Sequence, residues 1–167
     1  MPKPLIIDEH YPTTDGITPD AHSLSVILPA YASPRSELNA ILQYFYHFFN
    51  FDKQGLKDDA SKIERIAIAE MHHLEILGKM IINLGARPIY CLNPPTAFNF
   101  YSTKYVTYSC DLKSMIEDDI NAEELAIRQY RHMLKHLKNC QICEIISRII
   151  KDEELHLVTF KEILSGL

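Results

Sequence analysis

Acidic and imidazole side chains interrupt two helical stripes that are otherwise apolar. Around IAIAEMHHLEIL, residues 66–77, Ile63, Ile66, Ala67, Leu74 and Leu77 share one helical face with Glu70 and His73 at about 100° per residue. That face points into a core, and burying an unpaired carboxylate costs several kcal/mol. A sequence that tolerates one must supply partners. KDEELHLVTF repeats the device: Glu153 and His156 stand at the same i, i+3 spacing, in a stripe of Ile142, Ile146, Ile149, Phe160 and Leu164.

Each Glu-x-x-His follows an earlier segment with a glutamate and, seven residues on, a tyrosine: Glu37 with Tyr44, and Glu123 with Tyr130. Seven residues return to nearly the same azimuth. Glu37 to Glu70 spans 33 residues and Glu123 to Glu153 spans 30, so each half can bring its two carboxylates to matching height across an antiparallel helix pair. Glu123 aligns with Ile120, Ile127 and Leu134, whereas Glu124 is turned about 100° away, so Glu123 is the inward residue.

Four neighbouring carboxylates repel one another unless cations compensate them. Two divalent ions supply four positive charges against four negative ones. One glutamate from each of two helices plus Glu-x-x-His from each of the other two is the ligand set of dinuclear carboxylate bundles. Mixed oxygen and imidazole donors suit manganese or iron, and zinc is also compatible. The expected cofactor is two divalent metal ions per chain, held by Glu37, Glu70, His73, Glu123, Glu153 and His156. Tyr44 and Tyr130 are either ordinary core residues or phenols that hydrogen-bond a ligand carboxylate.

All nine prolines fall at positions 2–34 or 88–95, leaving 35–87 and 96–167 free of the strongest helix breaker. The first block predicts a helix over RSELNAILQYFYHFFNF, a turn around Gly55, and a second helix from about Ala60 to Leu84 ended by Gly85. The second block predicts helices from about Asp111 to Leu137 and from about Gln141 to Leu164. The 25-residue connection between the pairs, 85–109, is long enough to cross the length of a bundle. The expected fold is therefore all-α, a four-helix bundle of two antiparallel pairs over 35–167, preceded by an extended arm, 1–34, in which Pro29 and Pro34 keep the first helix from starting earlier.

The composition, 47% hydrophobic and 23% charged, is that of one soluble globular domain. A net charge of -5 leaves no basic patch for nucleic acid, and no apolar run reaches the length of a membrane span. The N-terminus lacks the apolar stretch of a signal peptide, and four scattered cysteines suit a reducing compartment, so a cytoplasmic location is expected. His132 and His136 lie nearly opposite Glu123, and His72 is a quarter turn from His73, which places all three outside the core stripe. Cys140 and Cys143 form a lone C-x-x-C, too few ligands for a structural zinc. The aromatic run YFYHFFNF is wider than one bundle stripe and points to a second apolar face buried in a homodimer or higher homo-oligomer.

With these motifs in hand, the chain resembles the ferritin-like superfamily, and within it most the manganese catalase group that includes spore-coat manganese-catalase-like proteins. The segments that carry the resemblance are YASPRSELNAILQYFYHF, AEMHHLEILGKMI and EDDINAEELAIRQY, while DEELH in the last helix reads more like bacterioferritin. Rubrerythrins have a second glutamate where this chain has Ala126. Storage ferritins usually continue past the fourth helix, so a storage shell is not expected. The resemblance implies Glu37, Glu70, His73, Glu123 and His156 as metal ligands, with Glu153 either a direct ligand or a carboxylate beside the metals that acts as the catalytic base. It also implies hydrogen peroxide or dioxygen as substrate. Catalase-like disproportionation is the leading expectation. Rubrerythrin-like peroxidase, ferroxidase and a structural, coat-associated bundle are the alternatives.

Overall fold

The computed structural model describes residues 2–92 and 99–167. Residues 93–98 of the crossover, with Pro94 and Pro95, lie outside the described residues. Five α-helices form among the described residues: α1 Ala21–Ala32, α2 Glu37–Lys53, α3 Lys57–Asn83, α4 Leu112–His136 and α5 Cys140–Gly166. The all-α bundle of two pairs is present, with α2 against α3 and α4 against α5 as the closest neighbours.

Several boundaries have a local cause. Ser36, Asp111 and Asn139 cap α2, α4 and α5 by accepting a hydrogen bond from a backbone N–H in the first turn. Gly55 takes a positive φ of 84° in the α2–α3 turn, a conformation glycine adopts without a Cβ penalty. The crossover runs back along α2. The Tyr101 hydroxyl donates to Asn39 Oδ1 at 2.8 Å, the Thr107 N–H to Gln43 Oε1 at 3.3 Å and the Tyr46 hydroxyl to the Ser109 carbonyl at 3.3 Å.

The extended arm needs one correction, because residues 21–32 are helical. Asp20 caps α1 by accepting from the His22 N–H, and Pro29 sits inside the helix. Proline there forfeits one intrahelical hydrogen bond. Burial of Ile27, Ala30 and Tyr31 against Leu77, Met80 and Ile81 of α3 offsets that loss. Packing therefore overrides the local signal. The rest of the arm, through Tyr11, lies along α3 and α5: the Leu5 N–H donates to the Arg65 carbonyl at 3.0 Å and Arg148 donates to the carbonyls of Ile7 and Glu9 at 2.7 and 3.0 Å.

The core is divided. One apolar cluster contains Ile27, Leu77, Met80, Tyr130, Met133 and Ile146, and another contains Tyr44, Phe51, Ile63, Ile66, Met115 and Phe160. Between them lie buried glutamates and histidines from four helices. No helix among the described residues is long and apolar enough to cross a membrane.

Candidate metal centre

Glu37 from α2, Glu70 and His73 from α3, Glu123 from α4, and Glu153 and His156 from α5 are all brought together at the bundle midpoint, each no more than 4% exposed. Their donor atoms form two overlapping groups, Glu37, Glu70, His73 and Glu153, and Glu70, Glu123, Glu153 and His156, with the atoms of each group within 4.8 Å of one another. Glu70 and Glu153 belong to both groups. Each group adds one further glutamate and one histidine.

Both imidazoles turn Nδ1 inward. His73 Nδ1 lies 3.0 Å from Glu70 Oε2 and 3.2 Å from Glu153 Oε1, and His156 Nδ1 lies 2.8 Å from Glu70 Oε1 and 3.5 Å from Glu153 Oε2. Glu70 Oε1, Glu153 Oε1 and His156 Nδ1, although at ion-pair distance, have no hydrogen-bond partner. Native interiors leave few buried polar atoms unpaired. Three such atoms converging on one point, drawn from two carboxylates and an imidazole, are the donor set a divalent cation takes, so the residues present fit a metal pair.

Electrostatics divide the four carboxylates into two classes. Burial, then the carboxylates of Glu70 and Glu153, pushes Glu37 well above the usual range, and burial with the same two neighbours does the same to Glu123. Burial also acts upward on Glu70, but His73 and His156 outweigh it and hold Glu70 well below its ordinary value. Glu153 is lowered too: burial and Glu70 push it up, and the two histidines more than reverse this. The rings respond in kind. Burial alone would lower them, yet the glutamates raise His73 well above 6.5 and His156 to about 9.

The tyrosines cross between the pairs. Tyr44 of α2 donates to Glu123 Oε1 of α4 at 2.6 Å, and Tyr130 of α4 donates to Glu37 of α2. Glu124 points outward, 3.8 Å from Arg128 and 3.4 Å from Lys161. His132 and His136 are exposed, and His72 is half-buried beside Glu75. Cys140 and Cys143 are free thiols. On α2, Phe49 is 62% exposed.

Several polar residues around the centre lie outside the six ligands and two tyrosines that the sequence points to. Asp152 accepts from the Tyr11 hydroxyl, from the Ile7 N–H at 2.7 Å and from His73 Nε2 at 3.2 Å, and Arg148 lies 2.8 Å from its other oxygen. Burial pushes Asp152 up, but these donors hold it well below the ordinary value. Asp119 takes His47 Nδ1 at 2.8 Å and Gln43 Nε2 at 2.8 Å, all three buried. A sequence signal existed for Asp119, four residues before Glu123 on the same face, and for Arg148 with Asp152 at i, i+4.

A cavity of about 250 Å³ opens between α2 and α4 and reaches the site. Glu37, Glu70, Glu123 and Glu153 line its floor, Ala40, Ala122 and Ala126 leave the gap between the helices, and Tyr105 and Thr107 of the crossover contribute to its rim.

The sequence model of the ferritin-like domain matches residues 35–167. No curated protein matches the chain. Among solved structures, a manganese catalase from Anabaena superposes with a TM-score of 0.81 at 20% identity, over 95% of this chain and 78% of that one. A bacterioferritin from Desulfovibrio desulfuricans, described with a diiron site, superposes with a TM-score of 0.72 at 28% identity, over 87% of this chain and 80% of that one. A bacterioferritin from Mycobacterium tuberculosis gives 0.72 at 21% identity, over 89% and 87%.

Proposed function

The chain belongs to the ferritin-like domain family, and on that footing we propose that Glu37, Glu70, His73, Glu123, Glu153 and His156 hold two divalent ions, manganese or iron, and that the centre disproportionates hydrogen peroxide. The observation that carries this reading is the pair of overlapping donor groups sharing Glu70 and Glu153. A redox-active metal pair bound there would supply a two-electron couple, so that one peroxide is reduced to two waters and the next is oxidised to dioxygen. Reduction consumes two protons and oxidation returns two, which balances the cycle without an outside donor. With the ions bound, Glu70 would be held in common by both, Glu37 and Glu123 would each hold one, and Glu153 would either be shared as well or carry protons between the peroxides. Tyr44 and Tyr130 hold the carboxylates of Glu123 and Glu37 in orientation.

The cavity supports a small substrate. At about 250 Å³, with Ala40, Ala122 and Ala126 among the residues of its wall, it admits peroxide or dioxygen to the four glutamates. Ala126→Leu adds three carbons to that wall and is expected to lower kcat/KM for peroxide about tenfold or more while both ions stay bound. Peroxide kinetics beside metal analysis check this, and unchanged kinetics would place the substrate route elsewhere.

An oxygen electrode tests the reaction. Manganese-loaded protein is expected to evolve dioxygen from peroxide with no added reductant. A second reading, iron oxidation with dioxygen, is favoured by the 28% identity to a bacterioferritin and by DEELH in α5. Catalytic oxidation of added Fe(II) under air, with no dioxygen evolved by the manganese form, would select it. Full loading with no turnover of either kind would leave a structural bundle. Phe49, exposed on α2 beside the half-buried Phe45 and Phe48, fits a contact with a second copy of the chain, which sedimentation would reveal.

A further inference from the structure

The family domain begins at residue 35, yet the outward nitrogens of both site histidines are held by, or through, the segment that precedes it. His156 Nε2 lies 2.8 Å from the Leu5 carbonyl, which can only accept, so this nitrogen carries the proton. His73 Nε2 lies 3.2 Å from Asp152 Oδ2, and that oxygen also takes the Tyr11 hydroxyl, itself 3.3 Å from the same ring nitrogen. Asp152 is in turn fixed by the Ile7 N–H. In the neutral rings that would bind metal, the lone pairs are thereby left on Nδ1, facing Glu70 and Glu153. Which nitrogen of a histidine binds a metal is set by the hydrogen bond the other makes.

Further contacts fasten the same segment. Arg148 donates to the Ile7 and Glu9 carbonyls and stacks 4.3 Å over the Tyr11 ring, and Lys151 pairs with Glu9 at 2.6 Å. We propose that residues 5–11 are a clasp whose docking and the binding of the metal pair are one linked equilibrium, with Tyr11, acting through Asp152 and His73, and the Leu5 carbonyl, acting through His156, as positioning groups. The clasp rests on the dimetal reading. It adds that metal affinity is set partly outside the bundle, and by reciprocity that metal binding holds the arm down.

The two ions should respond unequally. Tyr11→Phe removes the hydroxyl that steadies Asp152 and leaves the Leu5 contact with His156 intact. In the full-length chain titrated with Co(II), one ion is expected to weaken by about 10 to 100-fold and its visible absorption to change, while the other keeps its affinity and spectrum. Hydrogen exchange of the wild-type chain gives an independent reading. The Leu5 and Ile7 amides, bonded to Arg65 and Asp152, should exchange more slowly once Co(II) is bound. Equal weakening of both ions would mark general damage and overturn the clasp, as would no weakening of either or arm exchange indifferent to Co(II). If the wild-type chain binds two ions and the arm is indifferent, only the clasp falls. If it binds none, the dimetal reading falls with it.

Discussion

Replacing Glu70 by alanine is expected to cost the chain both metal ions, whereas Glu37→Ala costs mainly one. Glu70 belongs to both donor groups, and Glu37 to one. Removing Glu70 leaves three carboxylates against two divalent cations, an uncompensated charge between the two apolar clusters of the core. Such a charge costs several kcal/mol, and a 100-fold loss of affinity corresponds to only about 2.8 kcal/mol. Both ions should therefore weaken by more than about 100-fold in Glu70→Ala. Glu124→Ala, one residue from Glu123 but facing Arg128 and Lys161, should leave both unchanged and alter stability by no more than about 0.5 kcal/mol. Metal analysis after dialysis at fixed free Mn(II) separates the three variants. Equal metal content in Glu70→Ala and Glu124→Ala would refute the assignment of the inward face.

The inward face could be read from sequence because a 3.6-residue period tells which side chains share a stripe, and the prolines flanking 35–87 mark where helices can run. What lies across the gap from that stripe is not periodic information. Seven-residue spacing aligned Tyr44 with Glu37, but the hydroxyl reaches Glu123 on another helix, because a tyrosine extends beyond its own helix surface into the bundle centre. Helix α1 was hidden for a different reason. Pro29 is a true local penalty, overcome by burying Ile27, Ala30 and Tyr31, and burial depends on where α3 lies. Least visible was the acceptor for His156, since a backbone carbonyl at Leu5 leaves no trace in residue identity.

Loading the metal-free protein with two divalent ions near pH 7 is expected to release about four protons. In the absence of metal the centre balances its own charge. Glu37 and Glu123, pushed well up by burial and then by neighbouring carboxylates, are the carboxyls that favour the protonated form. Glu70 and Glu153, held down by the two rings, favour the ionised form, and His73 and His156, raised by the glutamates, favour the cationic form, the latter up to about 9. Two negative and two positive groups sum to zero. Two divalent ions require four ionised carboxylates and two neutral rings, again a sum of zero, reached by losing two carboxylic and two imidazolium protons. Metal affinity should thus rise steeply as pH increases through neutrality. The stability of the metal-free chain runs the other way. A ring raised from 6.5 to about 9 contributes stability that is fully present below 6.5 and is lost as pH climbs through 9. Titration calorimetry of Mn(II) in buffers of different ionisation enthalpy counts the protons directly, and thermal melts from pH 6 to 10 with and without metal test the opposed slopes. Release of no more than one proton would mean that Glu37 and Glu123 are already ionised before metal arrives, and that the charge pairing within the centre is not the one described.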